Sequence, residues 1–261
     1  MKAIILAAGR GSRLQALTDE RPKALVPFNG VPLLQRAIET LRRCDVSEVG
    51  IVAGYRSEML TPFADTLFHN HRWHSSGIFS SLNCASDWLS AEPCLVSYGD
   101  IFYDSTLVSE LINHPADIVL GYDPAAVRLW QQRFNDPLPD LENFRLVDGW
   151  VSAIGQTATS LEVIQGQYMG LFKVTPAGWQ ALKKQLQGLT PQACDQTDMT
   201  SLLGTLVSEG FPVAGVATHA PWEKLTAPAT WHYTSGSILT GDLDKIVGAT
   251  NPDSRFEDRG G

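Results

Sequence analysis

Basic residues are scarce in this chain. Twenty lysines and arginines stand against 28 aspartates and glutamates, a formal charge of −8. Such a deficit argues against a general nucleic-acid or anionic-membrane binder, because both need a basic face. Long apolar runs are missing too. Nothing approaches the roughly 20 consecutive apolar residues that span a bilayer, so no membrane partner is expected. The four cysteines, Cys44, Cys84, Cys94 and Cys194, show neither the paired spacing of a metal site nor a disulfide framework, which fits a reducing cytoplasm. There are no internal repeats, no low-complexity segments and no linker. The hydrophobic content of 44% is ordinary, and 261 residues are enough for one large α/β domain. A single domain is expected over residues 1–240, with residues 241–261 as a partly disordered tail.

The basic charge that exists gathers early. Residues 2–7 form a short apolar run with the composition of a buried strand, too short for a secretion leader and followed at once by arginines. Leu6-Ala7-Ala8-Gly9-Arg10-Gly11-Ser12-Arg13-Leu14 comes next, and then Arg21-Pro22-Lys23-Ala24-Leu25. Gly9 and Gly11 permit tight backbone paths and leave main-chain N–H groups open to a ligand. Such groups suit an anion, and Arg10, Ser12 and Arg13 add charge and a hydroxyl, so a phosphate chain is the natural ligand. Pro22 sets the chain direction just before Lys23, a point charge able to reach the same phosphates. Two other glycine-loop motifs fail on spacing. The third glycine of a dinucleotide fingerprint is replaced by Leu14, and the Gly-Lys-Ser/Thr ending of a P-loop is absent.

Apolar periodicity predicts a helix over residues 31–43 and a strand over 48–53, broken by Gly54. Strand, helix and strand in so short a span make a right-handed parallel unit, hence a Rossmann-like, mixed and mostly parallel sheet flanked by helices. Residues 56–64 read as helical and 67–73 as irregular, and Ser75 or Ser76 is placed to cap a helix running to about Leu89. A strand over 93–97 delivers Tyr98-Gly99-Asp100 to its carboxyl end, where ligands bind in open α/β sheets, so Asp100 and the loop at 9–13 should face one crevice. A carboxylate there suits Mg²⁺ shared with phosphates, although Gly-Asp alone also suits a turn or a cap. A helix over 104–113 and a strand over 116–122 follow. From 123 to 165 the texture changes, with Pro124, Pro137, Pro139 and a hairpin over 144–154 turning at Asp148-Gly149, and this insert is expected as a lid over the crevice. Strand 166–174, helices 176–187 and 198–209, and strand 212–218 complete the pattern.

The opening loop with Arg21-Pro22-Lys23 resembles the signature of the sugar-phosphate nucleotidyltransferase superfamily. Further stretches resemble its bacterial phosphocholine cytidylyltransferase-like branch: residues 52–60, 76–82, 96–101, 166–170 and 197–203. The resemblance covers roughly residues 1–228. It implies an enzyme that joins a nucleoside triphosphate, CTP in this branch, to a small phosphorylated alcohol, amino-alcohol or phosphonate, releasing pyrophosphate with Mg²⁺. By the same resemblance Leu6, Ala7, Ala8, Gly9, Arg10, Gly11 and Ser12 hold the nucleotide, joined by Gly54, Tyr55, Ser76, Ser81 and Gly99. Arg13 would face the β,γ-phosphates, Lys23 would bridge the reacting phosphates, and Asp100 would bind the metal. Gln167, Tyr168 and Trp222 fall on the acceptor side.

The sequence departs from the family pattern at Trp222-Glu223-Lys224-Leu225-Thr226, where Lys224 and Thr226 stand in place of acidic residues and a small shift would put Glu223 at the metal. It departs again at Gly155-Gln156-Thr157-Ala158, where relatives carry Lys or Arg and Pro. Two alternatives stay open: a sugar-1-phosphate nucleotidyltransferase as the nearest other enzyme and, motivated by Lys224 and Thr226, a degenerate nucleotide-binding protein. His69, His71 and His74 read as surface histidines. Tyr168, Trp130, Trp150 and Trp222 suit either packing or an aromatic box for a quaternary ammonium. The assembly is expected to be a monomer or homodimer.

Overall fold

In this computed structural model the described residues are 1–133, 136–138, 141–220 and 222–225. The expected tail at 241–261 and the domain limit at 240 lie outside them, as does Thr226. Alternation along the first strand, β1 (Lys2–Ala7), sets the plan: Ile4 and Leu6 enter one apolar cluster, whereas Ala3, Ile5 and Ala7 enter another on the opposite face. Both faces are buried, as in a strand covered by helices on two sides.

The chain continues through a small hairpin of β2 (Pro27–Phe28) and β3 (Val31–Pro32), then α1 (Leu33–Arg43), β4 (Glu48–Ala53), β5 (Thr66–His69), α2 (Ile78–Asn83) and α3 (Ser86–Ala91). Next come β6 (Cys94–Tyr98), β7 (Ile101–Phe102), α4 (Ser105–Asn113), β8 (Ile118–Asp123), α5 (Ala126–Arg133), β9 (Glu142–Val147) and β10 (Trp150–Thr157). The last elements are β11 (Gln167–Val174), α6 (Pro176–Lys184), α7 (Pro191–Gln196), α8 (Met199–Ser208), β12 (Val213–Ala217) and β13 (Glu223–Lys224). Nine strands form one sheet in the order β5-β4-β1-β6-β11-β8-β12-β10-β9. All but β10 and β11 run in one direction, so the sheet is mixed and mostly parallel. From β1 the chain moves outward to β4 and β5, then returns to β6 on the other side of β1, creating a switch point between β1 and β6, from whose carboxyl ends the chain leaves toward opposite edges of the sheet.

α1 and α4 cover one face through Leu34, Ala37 and Leu41 and through Leu107, Val108 and Leu111. α2, α3, α6 and α8 cover the other, around the fully buried Trp179. Polar residues begin several of these helices: Asp104, Thr175, Thr190 and Asp198 each accept a hydrogen bond from a first-turn N–H.

The structure departs from the sequence expectations in four places. Residues 56–64 make two single 3₁₀ turns, Ser57–Met59 and Thr61–Phe63, because Pro62 lacks the N–H a continuous helix needs. Thr66–His69 is an edge strand. Neither Ser75 nor Ser76 caps α2; both hydroxyls donate to the Arg72 carbonyl, and the helix run to Leu89 is divided by a tight turn at Cys84 and Ala85. The hairpin of β9 and β10 does turn at Asp148-Gly149, but β10 pairs with β12, so the insert extends the sheet at its edge.

Gly149 and Gly155 share nearly the same backbone, φ +83 and +82, yet a Cβ at 149 meets open space whereas one at 155 would run into the Thr200 carbonyl at the start of α8. That contact explains why glycine stands at 155. Gly149→Ala is expected to cost about 1–2 kcal/mol from left-handed strain alone, and Gly155→Ala at least about 1 kcal/mol more, because backbone has to shift. Urea denaturation of the two variants checks this: equal midpoints would rule out the steric term.

Candidate active site

The carboxyl end of β1 is held from two sides. Leu6 C=O accepts from Gly99 N–H at 2.9 Å, and Ala8 C=O accepts from Tyr55 N–H at 2.9 Å. The loop that follows crosses the stem of Lys23 so closely that a Cβ on Gly11 would lie 2.8 Å from Lys23 Cβ and Cδ. Leu14 anchors the loop from below, packed with Val26, Leu33 and Leu225. A single 3₁₀ turn, Lys23–Leu25, directed by Pro22, then presents Lys23 to the end of β6. Its ammonium donates to Asp100 Oδ2 at 2.6 Å, with the two side chains only 20% and 16% exposed.

Around this pair lies a cleft of about 420 Å³. Leu6, Ala7, Gly9, Gly11, Ser12 and Arg13 line its loop side, while Tyr98, Gly99, Asp100, Ile78 and Lys224 line the rest, with Lys23 and Ala24 between. The sequence had singled out most of these positions. Tyr98, Ile78 and Ala24 it had not marked as site residues, and Lys224 it had noted only as a departure. The adjacency of Tyr98 to Gly99-Asp100 at a strand end was the available signal for the first. Another cavity of about 440 Å³ between α2, α6 and α7 contains none of these residues.

Several expected site residues lie elsewhere. Arg10 is exposed and donates to Asp19 at 2.6 Å. Ala8, Gly54 and Tyr55 support the loop from behind: a Cβ on Gly54 would meet Trp73 and the Ala8 carbonyl, and the Tyr55 hydroxyl donates to the Asp19 carbonyl at 2.5 Å. Ser76 and Ser81 both accept from Asn70 Nδ2 at 2.9 Å and fix the approach to α2. Trp222 does not reach the cleft, because it is 8% exposed and its indole N–H donates to buried Asp123 Oδ2 at 2.9 Å. Tyr168 stands edge-on to Tyr98, ring centres 6.1 Å apart, and burial pushes its hydroxyl pKa up. Gln167 Oε1 is buried with no hydrogen-bond partner among the described residues. The side chain of Glu223 falls outside the described part. The aromatic residues do not form one box: Trp130 packs with Leu141, Ala158 and Ile164, and Trp150 packs edge-on to His114.

One carboxylate escaped the sequence reading. Glu142 starts β9 and, by strand alternation, shares the inward face of buried Phe144, which was the signal available. Burial raises its pKa, nearby Asp198 adds to the rise, and a hydrogen bond from Thr200 Oγ1 at 3.1 Å and the charge of Lys224 oppose it. Asp198 is itself held low: burial works against its ionised form, but the Ser201 N–H and hydroxyl groups nearby outweigh it.

The donor set bears on a metal. Among the described residues no group of three His, Cys, Asp or Glu side chains could hold an ion, and Asp100 is the one carboxylate lining the cleft. That set fits Mg²⁺ carried on substrate phosphates, which is held through one or two carboxylates and keeps several waters.

Comparison with known proteins is consistent with this geometry. The family described as MobA-like NTP transferase domain matches residues 3–165. The CTP:phosphoglutamine cytidylyltransferase of Campylobacter jejuni is 32% identical over 183 residues, 66% of this chain and 72% of that protein. The choline-phosphate cytidylyltransferase of Streptococcus pneumoniae is 48% identical over 58 residues, 22% of this chain and 25% of that protein. Among solved structures, the inositol-1-phosphate CTP transferase of T. maritima superposes with a TM-score of 0.69 at 20% identity, over 87% of this chain and 90% of that one, a likeness of fold. No helix among the described residues is long and apolar enough to cross a membrane.

The buried carboxyl of Glu142 gives a pH prediction. Its pKa is raised in the folded chain, so the unfolded chain releases this proton first as pH rises. Stability therefore declines from the ordinary carboxylate range up to the folded-state value and is level above it. Glu142→Gln is expected to remove that decline, its advantage over the parent growing with pH; urea denaturation from about pH 4 to pH 8 tests it. A constant difference between the two proteins would contradict the burial argument.

Proposed function

Because the chain belongs to the MobA-like NTP transferase domain family and is a nucleotidyltransferase, we propose that it joins CTP to a small phosphorylated alcohol, amino-alcohol or phosphonate. The observation that carries this reading is the Lys23–Asp100 pair at 2.6 Å, set at the mouth of a glycine loop flanked by Arg13. CTP is favoured because the Campylobacter relative and the T. maritima enzyme are both CTP-using by name. Phosphorylated small acceptors are favoured by the same names and by the pneumococcal relative.

In the reaction an oxygen of the acceptor's phosphate or phosphonate forms a bond to the α-phosphorus. The bond from that phosphorus to the bridging oxygen breaks, and pyrophosphate leaves with the electron pair. No general base is required, since a phosphate monoester has its second pKa near about 6 and is already largely dianionic at neutral pH. Catalysis then rests on alignment and on neutralising charge that develops on phosphoryl oxygens. Backbone N–H groups from Gly9 to Gly11 cradle the triphosphate, Arg13 balances its outer phosphates, and Lys23 reaches the phosphates that react. Asp100 would hold Mg²⁺, which would supply further positive charge to the reaction. The setting proposed is cytoplasmic.

Pyrophosphate release tests the proposal, with CTP, UTP, ATP, GTP and dTTP each offered phosphocholine, aminoethylphosphonate, other phosphorylated small alcohols and sugar 1-phosphates. Release is expected with CTP and one acceptor class. Lys23→Ala and Asp100→Asn are each expected to lower kcat/KM by about a hundredfold or more, as when one electrostatic contact to a phosphoryl group is lost. A preference for another nucleotide would refute the CTP assignment, and activity unaffected by Lys23→Ala would refute the site.

A further inference from the structure

Arg13, Lys23 and Lys224 bring three cationic side chains to a cleft that has one carboxylate, in a protein whose net charge is −8. Lys23 is paired with Asp100, but among the described residues neither Arg13 nor Lys224 makes an ion pair. The two cations without an ion pair come from different elements. Arg13 belongs to the loop after β1, and Lys224 comes from β13 beside the end of β6.

Lys224 is placed by backbone pairing. It lies opposite Ile101 in the antiparallel pair of β13 with β7, and the next residue, Leu225, donates its N–H to the carbonyl of Asp100 at 2.9 Å. A strand bonded to the Asp100 main chain thus carries the ammonium into the cleft. There its Nζ stands 5.6 Å from the centre of the Tyr98 ring, a cation–π arrangement. Tyr98 is held in turn by β11: a Cβ on Gly170 would lie 2.7 Å from the Tyr98 ring, and the Tyr168 ring abuts it edge-on. Glu142, with which Lys224 makes no ion pair, feels its positive charge. Lys224 is therefore a half-exposed cation lining the cleft, carried by a strand that is bonded to the Asp100 main chain.

We propose that Lys224 is an acceptor-binding residue, the one that receives the acceptor's phosphate and sets it beside Asp100. This rests on the function proposed above. A triphosphate lying along the glycine loop takes Arg13 and Lys23 as counterions, so the second phosphorylated reactant needs a cation of its own. Lys224 is the unpaired cation left for it among the cleft residues. The position where the family pattern leads one to expect an acidic side chain is thus part of the working site.

The test uses the full chain saturated with α,β-methylene CTP and Mg²⁺, titrated calorimetrically with inorganic phosphate as the probe, for the parent, Lys224→Met and Lys224→Arg. Lys224→Met is expected to weaken phosphate binding about tenfold or more, as for loss of a charged hydrogen-bond partner. Lys224→Arg should stay within about threefold of the parent, and all three proteins should hold the nucleotide analogue with affinities within about twofold. Unchanged phosphate binding by Lys224→Met, or no phosphate binding by the nucleotide-loaded parent, overturns the assignment. An equal loss of nucleotide affinity in Lys224→Met also overturns it, by moving Lys224 to the triphosphate. If the parent binds no CTP analogue, the proposed function itself falls.

Discussion

The site depends on how closely two parallel strands approach at their carboxyl ends. Gly99 N–H bonds to the Leu6 carbonyl, and a Cβ at residue 99 would lie 2.9 Å from that oxygen, 3.1 Å from Ala7 Cβ and 3.3 Å from Ala24 Cβ. One position thus touches the end of β1, the end of β6 and the turn that carries Lys23. A side chain there would drive apart the elements that hold Lys23 and Asp100 within 2.6 Å. The glycine loop, the lysine and the carboxylate are coupled through this contact, although they lie far apart in sequence.

The Lys23–Asp100 pair gains the fold little. Partly desolvated ion pairs return about as much in attraction as they lose in hydration. What the pair does is keep two opposite charges concentrated at the carboxyl ends of β1 and β6. On the function proposed above, a polyanion arriving along the loop would compete with Asp100 for Lys23, and the carboxylate so released would be free for a cation. Ligand and metal affinity at such a site would be linked through charge.

Much of this was legible in the sequence because it rests on local chemistry. The apolar run at residues 2–7, the two glycines, the basic residues around them and the Gly-Asp after a strand all report physical needs met within a few positions. The edge strand Thr66–His69 was not legible, being short and half polar, and its pairing with β4 is decided by tertiary contact. Trp222 resembled a ligand-binding aromatic, but its indole finds Asp123, 99 residues earlier in the chain, and turns into the core. The hairpin at 144–154 was visible from Asp148-Gly149, while its attachment to β12 was not, since no local signal specifies the partner of an outer strand. Lys224 looked like damage in one dimension. Its meaning depends on β13 lying against β7, a pairing across more than 120 residues.

The two ends of the cleft are built from unequal materials. The loop end grows out of β1 and β6, strands whose side chains fill the core on both faces. The other end is furnished by a two-residue strand, β13, and approached by β9, the outermost strand of the sheet. Substitutions at β1 or β6 disturb strands packed on both faces, whereas a change of the half-exposed Lys224 side chain falls on a two-residue pairing flanked by buried Trp222 and Leu225. The Lys224 side chain can therefore be exchanged without repacking the core, so a scaffold of this construction leaves room to change what this position binds at little cost in stability.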